Sequence, residues 1–346
     1  MIHQNKAGLS ALIVIATTLS ACGGTNDGVS SISPPAAQAP TSPAPPPPPP
    51  PAPPTPPPPP TGANGLVSDE PFAVLGISQN YKRNANGNFE SEGASTAPVQ
   101  FRYIASDNAY EMSLPAFETG RLKTLGYGGG FISSTEWQTV TSTYNALTLG
   151  NTAAEQNVRV TLMRPAGPLN PDVKLTHTSW GLWATGTGGP SDSSGAEGKF
   201  VYGIPTALGD VPATGTATYN ARVIGTTTEA YSGSTDFYTD YIDGSARLVF
   251  DFAAGSLSGS MMTVLCPWDC DTDLGTYDFT ETVYATGSRS FSGKFLVPGS
   301  TADSFFEGQL NGPKAAELMA RWKAPYLNPQ TKVWGTMFGI WVGKKD

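Results

Sequence analysis

Histidine is almost missing from this sequence, and its scarcity removes whole classes of chemistry. His3 and His177 are the only two in 346 residues. His3 falls within the first 21 residues, which have the form of a cleaved signal peptide. Any Ser-His-Asp or Cys-His arrangement would therefore have to use His177. That residue stands near Trp180 and Trp183 in an alternating stretch and reads as a packing residue. A Gly-x-Ser-x-Gly elbow, a phosphate-binding loop and a His-x-x-x-His pair are also lacking. The sequence thus predicts no catalytic residue, no metal site and no enzyme. No cofactor is expected; haem ligation by His177 or a tyrosine is left open, with no motif behind it.

Cations are the next shortage. The chain has 20 Lys and Arg against 28 Asp and Glu, a formal net charge of -8. On that balance nucleic acid is not an expected partner. Long apolar runs are missing as well. The run from Ala7 to Leu19 falls short of the roughly 20 residues that span a bilayer. Preceded by Lys6, it has the form of a signal-peptide core.

That run ends in Leu19-Ser20-Ala21-Cys22, which resembles a bacterial lipobox. The resemblance implies a signal peptide over 1–21, cleavage before Cys22 and lipidation of its thiol. The competing reading is an ordinary secretory peptide with an incidental cysteine. Gly rather than Asp at position 23 resembles outer-membrane cargo. Residues 22–61 form a proline-rich tether, with unbroken proline from Pro45 to Pro51 and from Pro56 to Pro60. Proline fixes φ and donates no backbone hydrogen bond, so this segment is polyproline II. At ~3.1 Å per residue its densest part reaches on the order of 80 Å, enough to hold the C-terminal domains away from a lipid surface.

The remainder is rich in Gly, Ser, Thr and aromatic residues, the composition of an all-β protein. It divides at a turn cluster containing Pro205, Gly209, Asp210 and Pro212 into a handle-like β domain over 62–211 and a barrel over 212–346. The second part holds eight short runs of period two, beginning with Ala217, Tyr219, Ala221 and Val223 on one face. Others carry Ala246 to Phe252, Leu257 to Leu265, Tyr277 to Val283, Phe291 to Val297, Ser304 to Leu310, Leu318 to Lys323 and Val333 to Val342. Eight antiparallel strands can close into a barrel and so remove exposed edges. Gly259, Gly293, Gly308, Gly335 and Gly339 interrupt them, as tight curvature requires. Their second faces carry Thr, Asn, Arg, Asp and Lys, which disfavours a barrel inside a membrane. The first part is less regular: Val99 to Ala105, Ala109 to Leu114, Val158 to Met163 and Lys174 to Trp183 read as strands of a small antiparallel sheet with long loops.

Cys266 and Cys270 are the cysteines left after Cys22. In an oxidising compartment they suggest a local disulfide, with two free thiols or a metal as competing readings. Asp269, Asp271 and Asp273 have the opening spacing of a calcium loop, but Leu274 stands where such a loop needs Gly. A solvated acidic loop is the plainer reading. The connection between the first two barrel strands contains Tyr231, Phe237, Tyr238 and Tyr241, and the cysteine loop adds Trp268. Aromatics of this kind are favoured at interfaces, so these five are candidate ligand-binding residues. Packing beneath their own loops is the alternative.

Three stretches resemble the transferrin-binding protein-like solute-binding proteins, surface lipoproteins of the transferrin-binding protein B type. They are Leu175 to Trp183, Tyr202 to Thr206 with Pro212 to Tyr219, and Phe306 to Leu318. The last has a strand meeting Gly312-Pro313, then a short crossing segment with Glu317 placed to bond backbone donors. The resemblance implies a handle sheet followed by an eight-stranded barrel. It also implies a binding protein for a host or environmental protein, a haem or iron source or a small solute, with delivery to a transporter as one outcome of capture. Expected partners are the outer-membrane lipid, lipoprotein sorting and surface-export machinery, and an unknown protein or small-molecule ligand. The expected location is the outer membrane, facing outward. A structural or adhesive lipoprotein with no solute is the alternative. Larger family members carry two such lobes, whereas this chain has room for one.

Overall fold

A computed structural model describes residues 70–346 apart from 85, 105–108, 116, 124–136, 143–156, 164–173, 188–193, 231–238, 268, 269 and 271. The signal peptide, Cys22 and the tether lie outside the described residues.

The C-terminal half is a closed antiparallel barrel. Its strands are β11 (Thr216–Ala230), β12 (Thr239–Asp251), β13 (Ser256–Cys266), β14 (Thr272–Val283), β15 (Ser290–Leu296), β16 (Phe305–Asn311), β17 (Glu317–Leu327) and β18 (Trp334–Lys345). They pair in chain order, and β18 returns to β11 with Val223 opposite Trp341. Each of the eight period-two runs in the sequence corresponds to one of these strands. The inward set is large and aromatic: Tyr219, Phe250, Phe291, Phe306, Trp322 and Trp341 are almost fully buried. Their rings touch across the interior, with Phe279–Trp341 centroids 5.5 Å apart and Phe306–Trp341 5.3 Å apart. The interior is therefore a packed core rather than a lumen.

Two strand glycines make room for these rings. Gly308 lies opposite Phe291, and Gly293 opposite Phe306, on the neighbouring pair β15–β16. A Cβ on Gly308 would come within 2.1 Å of Phe291, and one on Gly293 within 2.5 Å of Phe306. Each glycine lets the ring from the other strand lie over its backbone.

Ahead of the barrel stands a six-stranded antiparallel sheet of order β3-β2-β10-β9-β8-β7. Its strands are β2 (Ala73–Arg83), β3 (Phe89–Ala97), β7 (Trp137–Ser142), β8 (Asn157–Met163), β9 (Thr178–Thr187) and β10 (Ser194–Gly203). A four-stranded sheet, β1 (Glu70–Pro71), β4 (Gln100–Ile104), β5 (Ala109–Leu114) and β6 (Phe117–Lys123), lies in the same region. Antiparallel sheet is present as expected, but the four strands legible in the sequence do not form one small sheet: β4 and β5 belong to the four-stranded sheet, β8 and β9 to the six-stranded one.

The larger sheet is apolar on both faces. Ile77, Trp180 and Val201 pack with Ile224, Met319, Phe338, Ile340 and Val342 on the outer wall of the barrel. Phe200, Tyr202 and Trp183 pack the other way, with Phe101, Tyr103 and Met112 of the smaller sheet. Polar contacts tie the sheet along the barrel. At one end Glu317 accepts from the backbone of Thr176 and His177, as the sequence leads one to expect. Midway, Arg321 Nη1 donates to the Gly76 carbonyl at 3.1 Å. At the other end Gln79 and Glu197 meet the ends of β11 and β12. Away from the sheet the barrel wall exposes Arg247, Ser258, Asp278 and Lys294, a polar surface unsuited to hydrocarbon.

Candidate functional site

Strand direction sorts the barrel connections into two groups. Connections 231–238, 267–271, 297–304 and 328–333 leave from one end; 252–255, 284–289 and 312–316 leave from the other. Tyr241, the one described residue among the aromatic candidates read from the sequence, belongs to the first end. Tyr231, Phe237, Tyr238 and Trp268 lie outside the described residues. Tyr241 is described, and it pairs across β12–β13 with Cys266. Cys266 and Cys270 form a disulfide, with sulfurs 2.13 Å and Cα atoms 4.1 Å apart. The aromatic connection and the disulfide-closed one therefore depart from adjacent strand ends.

Tyr241 points to the outer wall, where it packs half-buried beside the cluster between sheet and barrel. Burial pushes its phenol up to about 12; Asp243 adds to the rise and Arg222 opposes it. His177 sits in a bend one residue before β9, and its ring lies against Gly312. Asp273 accepts from the Gly275 amide at 2.7 Å, a local turn contact. Asp269 and Asp271 lie outside the described residues. Among the described residues, no group of three or more His, Cys, Asp or Glu is placed to hold a metal ion.

A polar cluster lines the barrel mouth at this end. Glu229 Oε1 accepts from the Thr336 amide at 3.0 Å and from Thr228 Oγ1 at 3.1 Å. Its Oε2 accepts from the Tyr326 hydroxyl at 3.1 Å. Burial and the facing Glu229 carboxylate hold the Tyr326 phenol above its ordinary range. Burial, with Glu229 nearby, also raises the Asp240 carboxyl. Thr228, Tyr326 and the Thr336 amide satisfy the Glu229 carboxylate, while Asp240 stands near it as a like charge.

The apolar part of the site is not apparent from sequence periodicity. Leu327 and Trp334 are direct cross-strand partners on β17–β18, yet they are 42% and 41% exposed. Val333, next to Trp334, is 63% exposed, and Leu296 at the end of β15 is 56% exposed. A Cβ on Gly299 would lie 3.5 Å from the Trp334 ring, so the 297–304 connection approaches Trp334. One signal was available: Trp334 shares its strand face with Phe338, Ile340 and Val342. The sheet buries those three and leaves Trp334 open. A cleft of about 330 Å³ lies elsewhere, among Phe72, Val99, Phe101, Arg102 and Ser113.

No protein-family model matches the chain. No curated protein sequence matches it. Among solved structures the chain is similar to intact Ap-TbpB with its N and C lobes, at 16% identity and a TM-score of 0.36. That match covers 78% of this chain and 46% of the other. It is similar also to isotype 1 transferrin-binding protein B from serogroup B Neisseria meningitidis, at 15% identity and a TM-score of 0.36, covering 78% of this chain and 44% of that one. A double mutant of transferrin-binding protein B from Haemophilus parasuis Hp5 matches at 10% identity and a TM-score of 0.34, covering 80% and 77%. This chain spans less than half the length of the first two.

Proposed function

We propose that the chain is a lipid-anchored, outward-facing outer-membrane binding protein that captures a partner protein with the connection-bearing end of its barrel. The observation that carries this reading is the Leu327–Trp334 pair with Val333 beside it, apolar side chains held open on the rim. Exposed aromatic anchors of this kind dominate the energy of protein interfaces. The filled barrel interior favours a protein over a small solute taken into a lumen. Cys22 would carry the lipid, and the proline tether would lift the rim towards its partner. The sequence resemblance implies a host or environmental protein, a haem or iron source or a small solute as ligand, and delivery to a transporter would come after capture.

The test is a pull-down with the full chain against iron-carrier proteins, haem-loaded proteins and host cells. Trp334→Ala and Leu327→Ala serve as the probes. Each truncation of an interface anchor should weaken binding by roughly tenfold or more while thermal unfolding stays put. Unchanged affinity in both variants sinks the assignment of this end. Binding only to cells or glycans would favour the adhesive reading. Mass spectrometry should find an acylated Cys22 at the mature N-terminus.

A further inference from the structure

The end of the barrel that carries the candidate surface is not held by the barrel alone. Glu197, on β10 of the sheet, accepts through Oε1 from Gln79 Nε2 at 2.8 Å and from Thr239 Oγ1 at 3.1 Å. Thr239 is the first residue of β12. Gln79 is buried, and its Oε1 accepts from Ser91 Oγ at 2.6 Å. On the barrel side the ladder is irregular: the register of β11 against β12 shifts between Thr226 and Ala230. Side chains take over where the ladder breaks. Thr226 Oγ1 lies 2.9 Å from the Asp240 carbonyl and also against Thr239 Oγ1; with the Thr239 proton given to Glu197, the single Thr226 proton serves one of these two acceptors at a time. The Asp240 amide donates to Thr227 Oγ1 at 3.2 Å. Thr226 and Thr227 are both buried.

A bulge re-aims a strand and gives up ladder bonds in doing so. Here the strand start around Asp240 has lost regular pairing with β11 and is fixed by threonine hydroxyls, while Tyr241 next to it still pairs with Thr226 and Cys266. One of those hydroxyls is in turn held by a carboxylate from the neighbouring sheet. We infer that Glu197 is a positioning residue for the binding end: through Thr239 the sheet sets where β12 begins and how its first residues are presented. The inference rests on the proposed binding role for its functional meaning, but its physical content is separate. The sheet acts as a brace, and loosening it loosens one barrel end while the rest of the barrel stays closed.

The test is hydrogen exchange on the full chain without any partner. Glu197→Ala and Thr239→Val each remove one side of the contact, and Glu197→Gln keeps an acceptor oxygen there. The Asp240 amide should exchange roughly tenfold faster or more in Glu197→Ala and in Thr239→Val, since local opening governs its protection. The double variant should add little, as expected for two residues acting through one contact. Glu197→Gln should exchange close to the original rate, and amides of β16 and β17 should be unchanged in all. Unchanged Asp240 exchange in both single variants overturns the inference. So does a rise spread evenly over the barrel, which would mark general destabilisation, or full additivity in the double variant. A partner found at another surface would refute the proposed binding role and leave these exchange results standing.

Discussion

Glu317, fully buried at the start of β17, holds the chain just ahead of β9. Its Oε1 accepts from the Thr176 amide at 2.6 Å and from Thr176 Oγ1 at 2.9 Å, and its Oε2 accepts from the His177 amide at 3.0 Å. One carboxylate thus satisfies two backbone donors that belong to neither ladder. Glu317→Ala leaves those donors without their charged acceptor in a part-buried site. Hydrogen bonds to charged groups contribute about 1.5–3 kcal/mol, so unfolding by urea should report a loss of about 2–4 kcal/mol. A loss below about 0.5 kcal/mol would mean that water replaces the carboxylate freely.

The glycine–phenylalanine exchange on β15–β16 gives a second prediction. Gly308→Ala places a methyl where the Phe291 ring lies, and a packed core gives way at a cost of about 1–3 kcal/mol. Phe291→Leu in the same chain opens that space. The combined variant should therefore be less destabilised than the sum of the two single changes. Strict additivity would show that the ring and the glycine do not share the space.

The barrel was legible because each of its strands buries one face. In β15 the alternation of Phe291 and Phe295 inward with Ser292 and Lys294 outward is complete in seven residues. The sheet hid its strands for the opposite reason. The run Lys199 to Gly203 of β10 is buried throughout, because the barrel covers one face and the smaller sheet the other. Two-sided burial erases period two. The polar edge strand β3, with Glu90, Ser91 and Glu92, gives no apolar rhythm either. In the candidate site, loop aromatics can be named from sequence, but Trp334 needed three dimensions. Its exposure depends on where the sheet stops, which no local pattern encodes.

The disulfide makes a third prediction. Cys266 and Cys270 are four residues apart, so the bond restricts little of the unfolded chain. A loop this short predicts about 2 kcal/mol of stabilisation on chain-entropy grounds. Cys266→Ser with Cys270→Ser should lower stability by no more than that and leave the β-sheet circular dichroism signal intact. Complete unfolding under reducing conditions would show that the staple supports the whole barrel rather than one end.

Lys199 carries the fourth. It lies buried on the sheet face that meets the barrel, with its ammonium 5.1 Å from the centre of the Phe338 ring. Burial lowers its pKa to about 8, and the nearby Glu197 opposes that shift. A lysine titrating near 8 when folded and near 10.5 when unfolded binds fewer protons in the folded chain between those values. The contribution of this group to stability therefore rises with pH above about 8, and below that its burial penalty is full. Above about pH 10 the buried phenols of Tyr202 and Tyr277, both raised to about 12, make stability fall again. Lys199→Met keeps the stem, loses the charge, and should be more stable than the original at pH 7 by about 1–3 kcal/mol. That advantage should shrink steadily between pH 8 and 10 in denaturant titrations. Parallel stability curves for the two proteins across that window would show that the ammonium already finds full compensation at the Phe338 ring and Glu197.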